Sequence, residues 1–295
     1  MTIIDKVTYN GLVLKRGFSE RELNDIRALQ QACEVYDGIR LKLNWSLLQK
    51  RGAEAPGDAL FYEQGKLIGF AALYAFYSHE AELTGMVHPE KRRRGIFGQL
   101  AGTLENAALE QGFRDLIWFC PRASAAGRRF LEAKGVPYVY SEYVMERGED
   151  AGTAAPAAVL QLRQAGHSDL ALLAKLNSSG FEMTMEEGLE LALKSMSDME
   201  RCYIAEVDGE AVGKINVLCE AGRAHLFAFV VSAEKRGMGY GRAMLSSVIE
   251  LMQTERGLRR FSLEVAASNE RALGLYRSCG FETVSIMDYY KSPLK

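Results

Sequence analysis

The sequence predicts a mixed α/β fold that is built twice along the chain. Segments with the alternating apolar pattern of strands are interspersed with segments of helical apolar spacing, and this order favours a partly parallel sheet flanked by helices. The order then repeats, because "VHPEKR" at 87–92 matches "VSAEKR" at 231–236, 144 positions later. The match holds at nearly constant spacing over about 50 residues, which indicates that a whole domain is duplicated.

The chain is therefore expected to form two tandem domains, at residues 1–148 and 158–295. The segment between them, "RGEDAGTAAPAA", is rich in Ala, Gly and acidic residues and has no apolar periodicity. Such a composition is typical of a linker, which we assign to residues 149–157.

The first elements of the second copy are indicated by their ends. "VLQLRQA" at 159–165 predicts a strand, and Ser168 is expected to cap the helix after it. "TMEE" at 184–187 has the spacing of a capping box and predicts a second helix. Asp208 and Gly209 separate two apolar runs, which predicts a hairpin with a tight turn.

The later elements alternate between strand and helix. "AHLFAFVV" predicts a strand that runs into the glycine-rich loop "RGMGYGR" at 236–242, and a helix is expected from there to about Glu255. "RFSLEVA" predicts the next strand, 269–278 a short helix, and "FETVSIMDYY" a last strand.

A glycine-rich loop between a strand and a helix is suited to binding an anion. The first turn of the helix leaves backbone N–H groups unpaired, the helix dipole adds positive charge, and glycine lets an anion approach closely. Arg236 and Arg242 can add charge-assisted hydrogen bonds. The loop lacks the Gly-Lys-Ser/Thr of a Walker loop and the GxGxxG of dinucleotide folds. The alternative is a tight turn that binds nothing.

A second motif follows about 30 residues later and makes the pattern specific. Asn269, Ala272 and Tyr276 share one face of the short helix, and Gly280 and Phe281 come after it. Together, the motifs R-x-x-G-x-G and N-x-x-A-x-x-x-Y-x-x-x-G-F resemble those of the GNAT superfamily of acetyl-CoA-dependent N-acetyltransferases. The resemblance covers Val159 to about Tyr290 and repeats more weakly over Gly11 to Glu146.

The resemblance implies two tandem GNAT-like domains, each with a mixed, mostly antiparallel sheet whose parallel central strands splay apart. It implies acetyl-CoA as the acyl donor, bound in the gap between these strands. Strand backbone would pair with the pantetheine arm, loop amides would bind the pyrophosphate, and the second motif would support the donor. The implied donor-binding residues are Phe229, Val230, Val231, Arg236, Gly237, Met238, Gly239, Tyr240, Gly241, Arg242, Asn269, Ala272 and Tyr276.

Two residues are candidates for the chemistry. Tyr276 would lie near the thioester sulfur and act as the general acid for the leaving thiolate; the alternative is an aromatic that only packs. Glu264, on the strand before Asn269, is the candidate base, although this position is common in the superfamily and serves equally well to brace the sheet or line the acceptor site. Glu220, acting through water, is the other candidate base.

The acceptor would lie beneath the first two helices of the second copy. The segment 181–200 carries several acidic residues, which would favour a cationic amine. An ordinary solvated helix face with an apolar stripe accounts for the same residues.

The first copy departs from both motifs. Phe97 stands where Gly241 stands, Phe119 where Glu264 stands, and Leu131 where Tyr276 stands. We therefore expect a degenerate copy that packs against the second as subunits do in dimeric relatives, in a monomer or a homodimer. The basic run at 91–94 is either a phosphate contact or a solvated turn.

Composition narrows the function classes. A formal net charge of −2 gives no indication of a nucleic-acid partner, and no apolar run is long enough to span a membrane. The five scattered cysteines form no CxxC pair, so neither a metal site nor disulfides are expected, and the start of the chain lacks a secretion signal. We expect a cytoplasmic N-acetyltransferase that acetylates a small-molecule, peptide or protein amine. The alternative is an acyl-CoA-binding regulatory or scaffold protein without turnover.

Overall fold

A computed structural model of the chain describes residues 9–52, 57–76, 79–149, 151, 158–196, 200–220 and 222–295. The chain forms two compact units: unit 1 comprises Met1–Glu142 and Ser285–Lys295, and unit 2 comprises Tyr143–Val284. Most of the predicted linker lies outside the described residues.

Unit 1 is a mixed sheet with helices. The strands are β1 (Gly11–Lys15), β2 (Asp58–Glu63), β3 (Lys66–Tyr74), β4 (Glu80–Val87), β5 (Asp115–Pro121) and the part of β12 (Glu282–Pro293) that belongs to this unit. They lie in the order β1-β2-β3-β4-β5-β12, and among the described residues only β4 and β5 pair in parallel. The helices are α1 (Glu20–Asp37), α2 (Trp45–Gln49), α3 (Ile96–Glu110) and α4 (Ala125–Lys134).

Unit 2 repeats this plan. The strands are the part of β6 (Tyr138–Arg147) in this unit, β7 (Gln161–Gln164), β8 (Glu200–Val207), β9 (Glu210–Glu220), β10 (Arg223–Val231) and β11 (Arg260–Ala266). They lie in the order β6-β11-β10-β9-β8-β7, with β10 and β11 parallel and β7 to β10 antiparallel to their neighbours in sequence. The helices are α5 (Leu170–Phe181), α6 (Met185–Lys194), α7 (Tyr240–Arg256) and α8 (Glu270–Ser278).

The units differ from the predicted division of the chain at its last strand. Met287–Pro293 of β12 pair with Asp115–Pro121 of β5, so the end of the chain lies in the sheet of unit 1. Arg122 strengthens this pairing with hydrogen bonds of 2.7 to 3.2 Å to the buried carboxylate of Asp288. In unit 2 the outer strand is supplied instead by 143–147, where Arg147 donates to the Cys279 carbonyl at 3.1 Å.

Most predicted elements of the second copy are confirmed, with one corrected helix cap. Thr184 forms the predicted capping box with Glu187, and Asp208 and Gly209 form the hairpin turn with φ of 51° and 79°. The prediction for Ser168 is wrong, because α5 begins after Asp169. The Asp169 carboxylate accepts from the Gly166 amide at 2.8 Å in the turn that precedes α5.

In unit 2 the main core fills one face of the sheet. Side chains of β9, β10 and β11 pack there against α7 and α8, and the opposite face packs against α5 and α6. Among the described residues, none of the helices is long and apolar enough to cross a membrane.

Candidate active site

The parallel strands β10 and β11 separate part of the way along their length. They pair from Arg223 with Arg260 to Leu226 with Leu263, and no further pairing follows within the described residues. The edge of β10 from Phe227 to Val231 is therefore open toward β11. The splayed strands expected of the fold are confirmed, and the predicted pantetheine-binding positions Phe229, Val230 and Val231 lie on the open stretch.

A β-bulge lies at the start of this opening. The register of β10 against β9 shifts between Phe227 and Val230, and Ala228 within it has a φ of 46°. A bulge turns backbone groups away from the regular ladder, which is a common device beside active sites. Unit 1 pairs its strands β3 and β4 without such a shift.

The glycine loop has the shape expected of an anion site. Gly237 and Gly239 have φ of 83° and 85°, a region that glycine adopts without strain. The Ala243 amide donates to the Gly239 carbonyl at 3.1 Å, so the amides of the three preceding residues have no partner within α7. These are Tyr240, Gly241 and Arg242.

One side chain of the loop bonds to the preceding strand, and others are exposed to solvent. Arg236 donates through Nε to the Val231 carbonyl at 3.1 Å, which fixes the loop to the end of β10. Met238 is 58% exposed, Tyr240 packs partly against the core and Arg242 is exposed. The terminal nitrogens of Arg236 donate to none of the described residues.

Arg271 belongs to the same surface, although the sequence motifs did not identify it. A Cβ on Gly237 would lie 3.8 Å from Nη2 of Arg271, and the guanidinium is exposed. The signal in the sequence is its location in the first turn of α8, where the helix dipole disfavours a cation unless an anion is nearby.

Asn269 begins α8 and orients it. Its Oδ1 accepts from the Ala272 amide at 3.1 Å, which is an N-cap interaction. Ala272 packs partly against the core of unit 2. The motif N-x-x-A thus fixes the start of the helix that carries Tyr276.

Tyr276 lies next to the opening, on the face of the sheet that α7 and α8 cover. It is 8% exposed, and its ring centroid is 6.2 Å from that of Phe229 in the bulge and 6.1 Å from that of Phe281. Burial raises the pKa of Tyr276 to about 12, so the hydroxyl stays protonated at neutral pH. That hydroxyl makes no hydrogen bond to any of the described residues.

Glu264 lies on the opposite face of the sheet, next to the point of separation. It follows Leu263, the last residue of β11 in the parallel ladder, and β11 alternates so that Ser262 and Glu264 face away from the main core. On this face the His225 ring nitrogen and the Ser262 hydroxyl are 3.1 Å apart. Glu220 pairs with Arg223 at the far end of β10, well away from the opening.

The predicted acidic acceptor surface is mainly solvated. Glu182, Glu186 and Glu190 are exposed, and Glu187 serves the capping box of α6. The acidic and methionine side chains at 197–199 lie outside the described residues. Beneath α5, Lys214 is buried and donates to Asn216 Oδ1 at 3.2 Å, and burial lowers the pKa of Lys214 to about 8.

In unit 1 a cavity remains beside the corresponding strands, and the Phe97 ring forms part of its wall. A Cβ on Gly85 would lie 2.7 Å from Cε2 of Phe97, and the Phe97 ring meets that of Phe130 at 4.7 Å. The loop of unit 1 keeps a left-handed conformation at Arg93, whose φ is 65° although it is not a glycine. The shape of the loop is thus retained, while an aromatic ring narrows the space beside it.

Three of the four cations in the basic run of unit 1 form ion pairs within the unit. Arg92 forms two hydrogen bonds of 2.8 and 2.6 Å to Asp37, and Lys91 and Arg94 both pair with Glu63. These two cations lower the pKa of Glu63 to about 2. Phe119 and Leu131, which replace Glu264 and Tyr276, are buried apolar residues. Within the described residues, no three His, Cys, Asp or Glu side chains come together as a metal site would need.

Comparison with known proteins agrees with the geometry. The family model "Acetyltransferase (GNAT) family" matches residues 23–135 and again 171–281. A mycothiol acetyltransferase of Thermomonospora curvata is 24% identical over 298 residues, which cover 96% of this chain and 97% of the relative. An N-alpha-acetyltransferase of Sulfurisphaera tokodaii is 31% identical over 100 residues, but these cover only 30% of this chain and 60% of the relative.

Solved structures share the fold along the whole chain. A GCN5-related N-acetyltransferase from Sphaerobacter thermophilus superposes with a TM-score of 0.78 at 20% identity, covering 96% of both chains. A tandem GNAT protein from the clavulanic acid biosynthesis pathway gives 0.74 at 17% identity, covering 96% of this chain and 98% of the other. The chain therefore belongs to the GNAT family of acetyltransferases and carries the family domain twice.

Proposed function

We propose that unit 2 transfers an acetyl group from acetyl-CoA to a primary amine of a small molecule, peptide or protein. One observation carries the proposal: the opening beyond Leu226 and Leu263 begins at a β-bulge, with Glu264 on one face and Tyr276 on the other. An amine and a thioester that meet in this gap would have a base and an acid on opposite sides.

The residues around the opening fit the donor. The free amides at the start of α7, with Arg236, supply donors for the pyrophosphate, and the open edge of β10 supplies backbone groups for the pantetheine amides. Glycine at position 241 keeps the space between the loop and α8 open, since even a Cβ at this position would lie only 3.2 Å from Leu275 Cδ2. Bound acetyl-CoA supplies an activated acyl thioester.

In each step of the proposed reaction, one group of this chain has a defined role. Glu264 accepts a proton from the ammonium form of the acceptor, whose ordinary pKa near 10.4 would otherwise keep it charged and unreactive. A backbone N–H of the bulge donates to the carbonyl oxygen as the nitrogen–carbon bond forms and negative charge develops there. When the carbon–sulfur bond breaks, the Tyr276 hydroxyl gives its proton to the departing sulfur, the nitrogen releases its remaining extra proton to solvent, and the tyrosine oxygen takes a proton back from solvent.

Unit 1 takes no part in this chemistry in our proposal. The Phe97 ring narrows the corresponding cavity, three of the four cations of the basic run are paired with acids, and Phe119 and Leu131 carry no proton to transfer. Unit 1 would then act as a structural domain.

The test is release of free CoA thiol from acetyl-CoA over a panel of amines that includes amino sugars, polyamines, lysine peptides and free peptide N-termini. We expect amine-dependent release by the wild type and loss of release in Tyr276→Phe. A wild type that binds acetyl-CoA but releases no thiol with any amine would instead support the regulatory or scaffold role.

A further inference from the structure

The side of α8 that faces the glycine loop is a stripe of residues one turn apart. Leu275 lies against Gly241, with 3.2 Å from its Cδ2 to the Cβ that an alanine there would carry, and Arg271 lies against Gly237 at 3.8 Å by the same measure. Residues four apart are neighbours on a helix surface, so α8 runs alongside the loop with Arg271 at the N-terminal end of the helix.

The order of these residues along α8 indicates the direction in which CoA would lie. Tyr276, at the other end of α8, is the proposed partner of the thioester sulfur, and the amides after Gly239 are the proposed site of the pyrophosphate. Along CoA from the sulfur, the pantetheine arm comes first, then the pyrophosphate, and then the ribose with its 3′-phosphate. The next anion beyond the pyrophosphate would therefore reach the N-terminal end of α8, where Arg271 lies.

Arg271 is suited to a second phosphate. Its guanidinium is exposed and donates to none of the described residues, whereas Lys235 on the same loop is paired with Glu210 at 2.6 Å. Arginine presents several donors in a fixed planar fork that matches phosphate oxygens. The aligned position in unit 1 is Ala126, in the copy whose corresponding cavity is narrowed by Phe97.

We propose that Arg271 binds the 3′-phosphate of CoA and so selects free CoA thioesters over donors that lack this group. The proposal rests on the proposed function of unit 2, because it uses the same donor site. Charge-assisted hydrogen bonds of this kind correspond to about 10- to 100-fold in affinity.

The experiment compares equilibrium binding of CoA and 3′-dephospho-CoA by calorimetry, which needs no turnover. We expect the wild type to bind CoA about 10- to 100-fold more tightly than 3′-dephospho-CoA, with a preference that shrinks as salt rises. Arg271→Ala should lose the preference and keep wild-type affinity for 3′-dephospho-CoA, and Arg271→Lys should restore part of it. Arg277→Ala, an exposed arginine in the last turn of the same helix, is the matched control and should retain the preference.

Three results would overturn the inference. They are a wild type without the preference, an Arg271→Ala variant that retains it, and an Arg271→Ala variant that weakens both ligands equally, which would assign Arg271 to the pyrophosphate. Absence of any CoA binding by the wild type would instead refute the donor site of the proposed function. Normal binding without amine-dependent thiol release would refute the transferase proposal and leave the role of Arg271 intact.

Discussion

Replacing Gly241 with glutamate should abolish the stabilisation of the protein by acetyl-CoA without disturbing the fold. Gly241 is the second residue of α7 and has no positive φ, unlike Gly237 and Gly239, so a side chain is not strained there. Its Cβ would meet Leu275 Cδ2 at 3.2 Å and Val231 Cγ2 at 3.6 Å, and both are ends of side chains that can move slightly. A carboxylate in the first turn of a helix also favours the dipole.

The size of the effect follows from two estimates. Acetyl-CoA at about 100 times its Kd stabilises the folded protein by about 2.7 kcal/mol, which corresponds to a rise in Tm of about 5–10 °C for a domain of this size. A carboxylate about 4 Å from one phosphate charge costs about 4 kcal/mol near a protein surface. The repulsion therefore exceeds the stabilisation, and the shift in Tm should disappear.

The assay is a thermal melt with and without acetyl-CoA, together with circular dichroism of the free variant. Gly98→Glu is the matched control, because Gly98 is an exposed helical residue of unit 1 whose Cβ would meet nothing within 4 Å. It should keep the full shift. A folded Gly241→Glu variant that is stabilised like the wild type would refute the assignment of the loop to the pyrophosphate.

Three further predictions test other parts of the molecule. Tyr276→Phe should lower kcat by about 10²-fold and leave acetyl-CoA affinity within about threefold. Since burial raises the pKa of Tyr276 to about 12, the wild-type kcat should show no loss of the tyrosine proton below about pH 10.5, and a falling limb there that the variant lacks would contradict this. Lys214→Met should stabilise the protein by about 1–3 kcal/mol in urea unfolding at pH 7, because the folded state holds the ammonium at a pKa of about 8 against 10.5 unfolded. The gain should fade as pH rises from about 8 to 10.5, and a variant less stable at pH 7 would contradict the argument. Deleting 285–295 should shift tryptophan emission to the red, since Trp118 pairs with Tyr290 of β12 and both tryptophans of the chain, Trp45 and Trp118, belong to unit 1; an unchanged emission maximum would contradict the role of β12.

Features with local causes could be predicted from the sequence. The capping box at Thr184, the turn at Asp208 and the anion loop at 236–242 each depend on a few adjacent residues whose conformations are restricted by their chemistry. The span of β11 was predicted to the residue, because apolar and polar side chains alternate along it.

Features that depend on distant residues could not be predicted. Asp37 neutralises Arg92 across 55 positions, and β12 joins β5 across more than 160, so no local pattern carries either contact. The bulge in β10 contains no glycine, and Ala228 adopts a positive φ that its own sequence does not indicate. The roles of Glu264, Tyr276 and the domain boundaries stay predictions.

The two copies place one aromatic ring on opposite sides of the same groove. In unit 1 the helix carries Phe97 and the strand carries Gly85, while the aligned positions in unit 2 are Gly241 on the helix and Phe229 on the strand. A Cβ on Gly85 would clash with Phe97, so Gly85→Phe alone is blocked, and Phe97→Gly alone removes a half-buried ring together with its packing against Phe130. Neither single substitution leads from one arrangement to the other without loss. After duplication of the domain, these two positions are therefore expected to have changed together rather than one at a time.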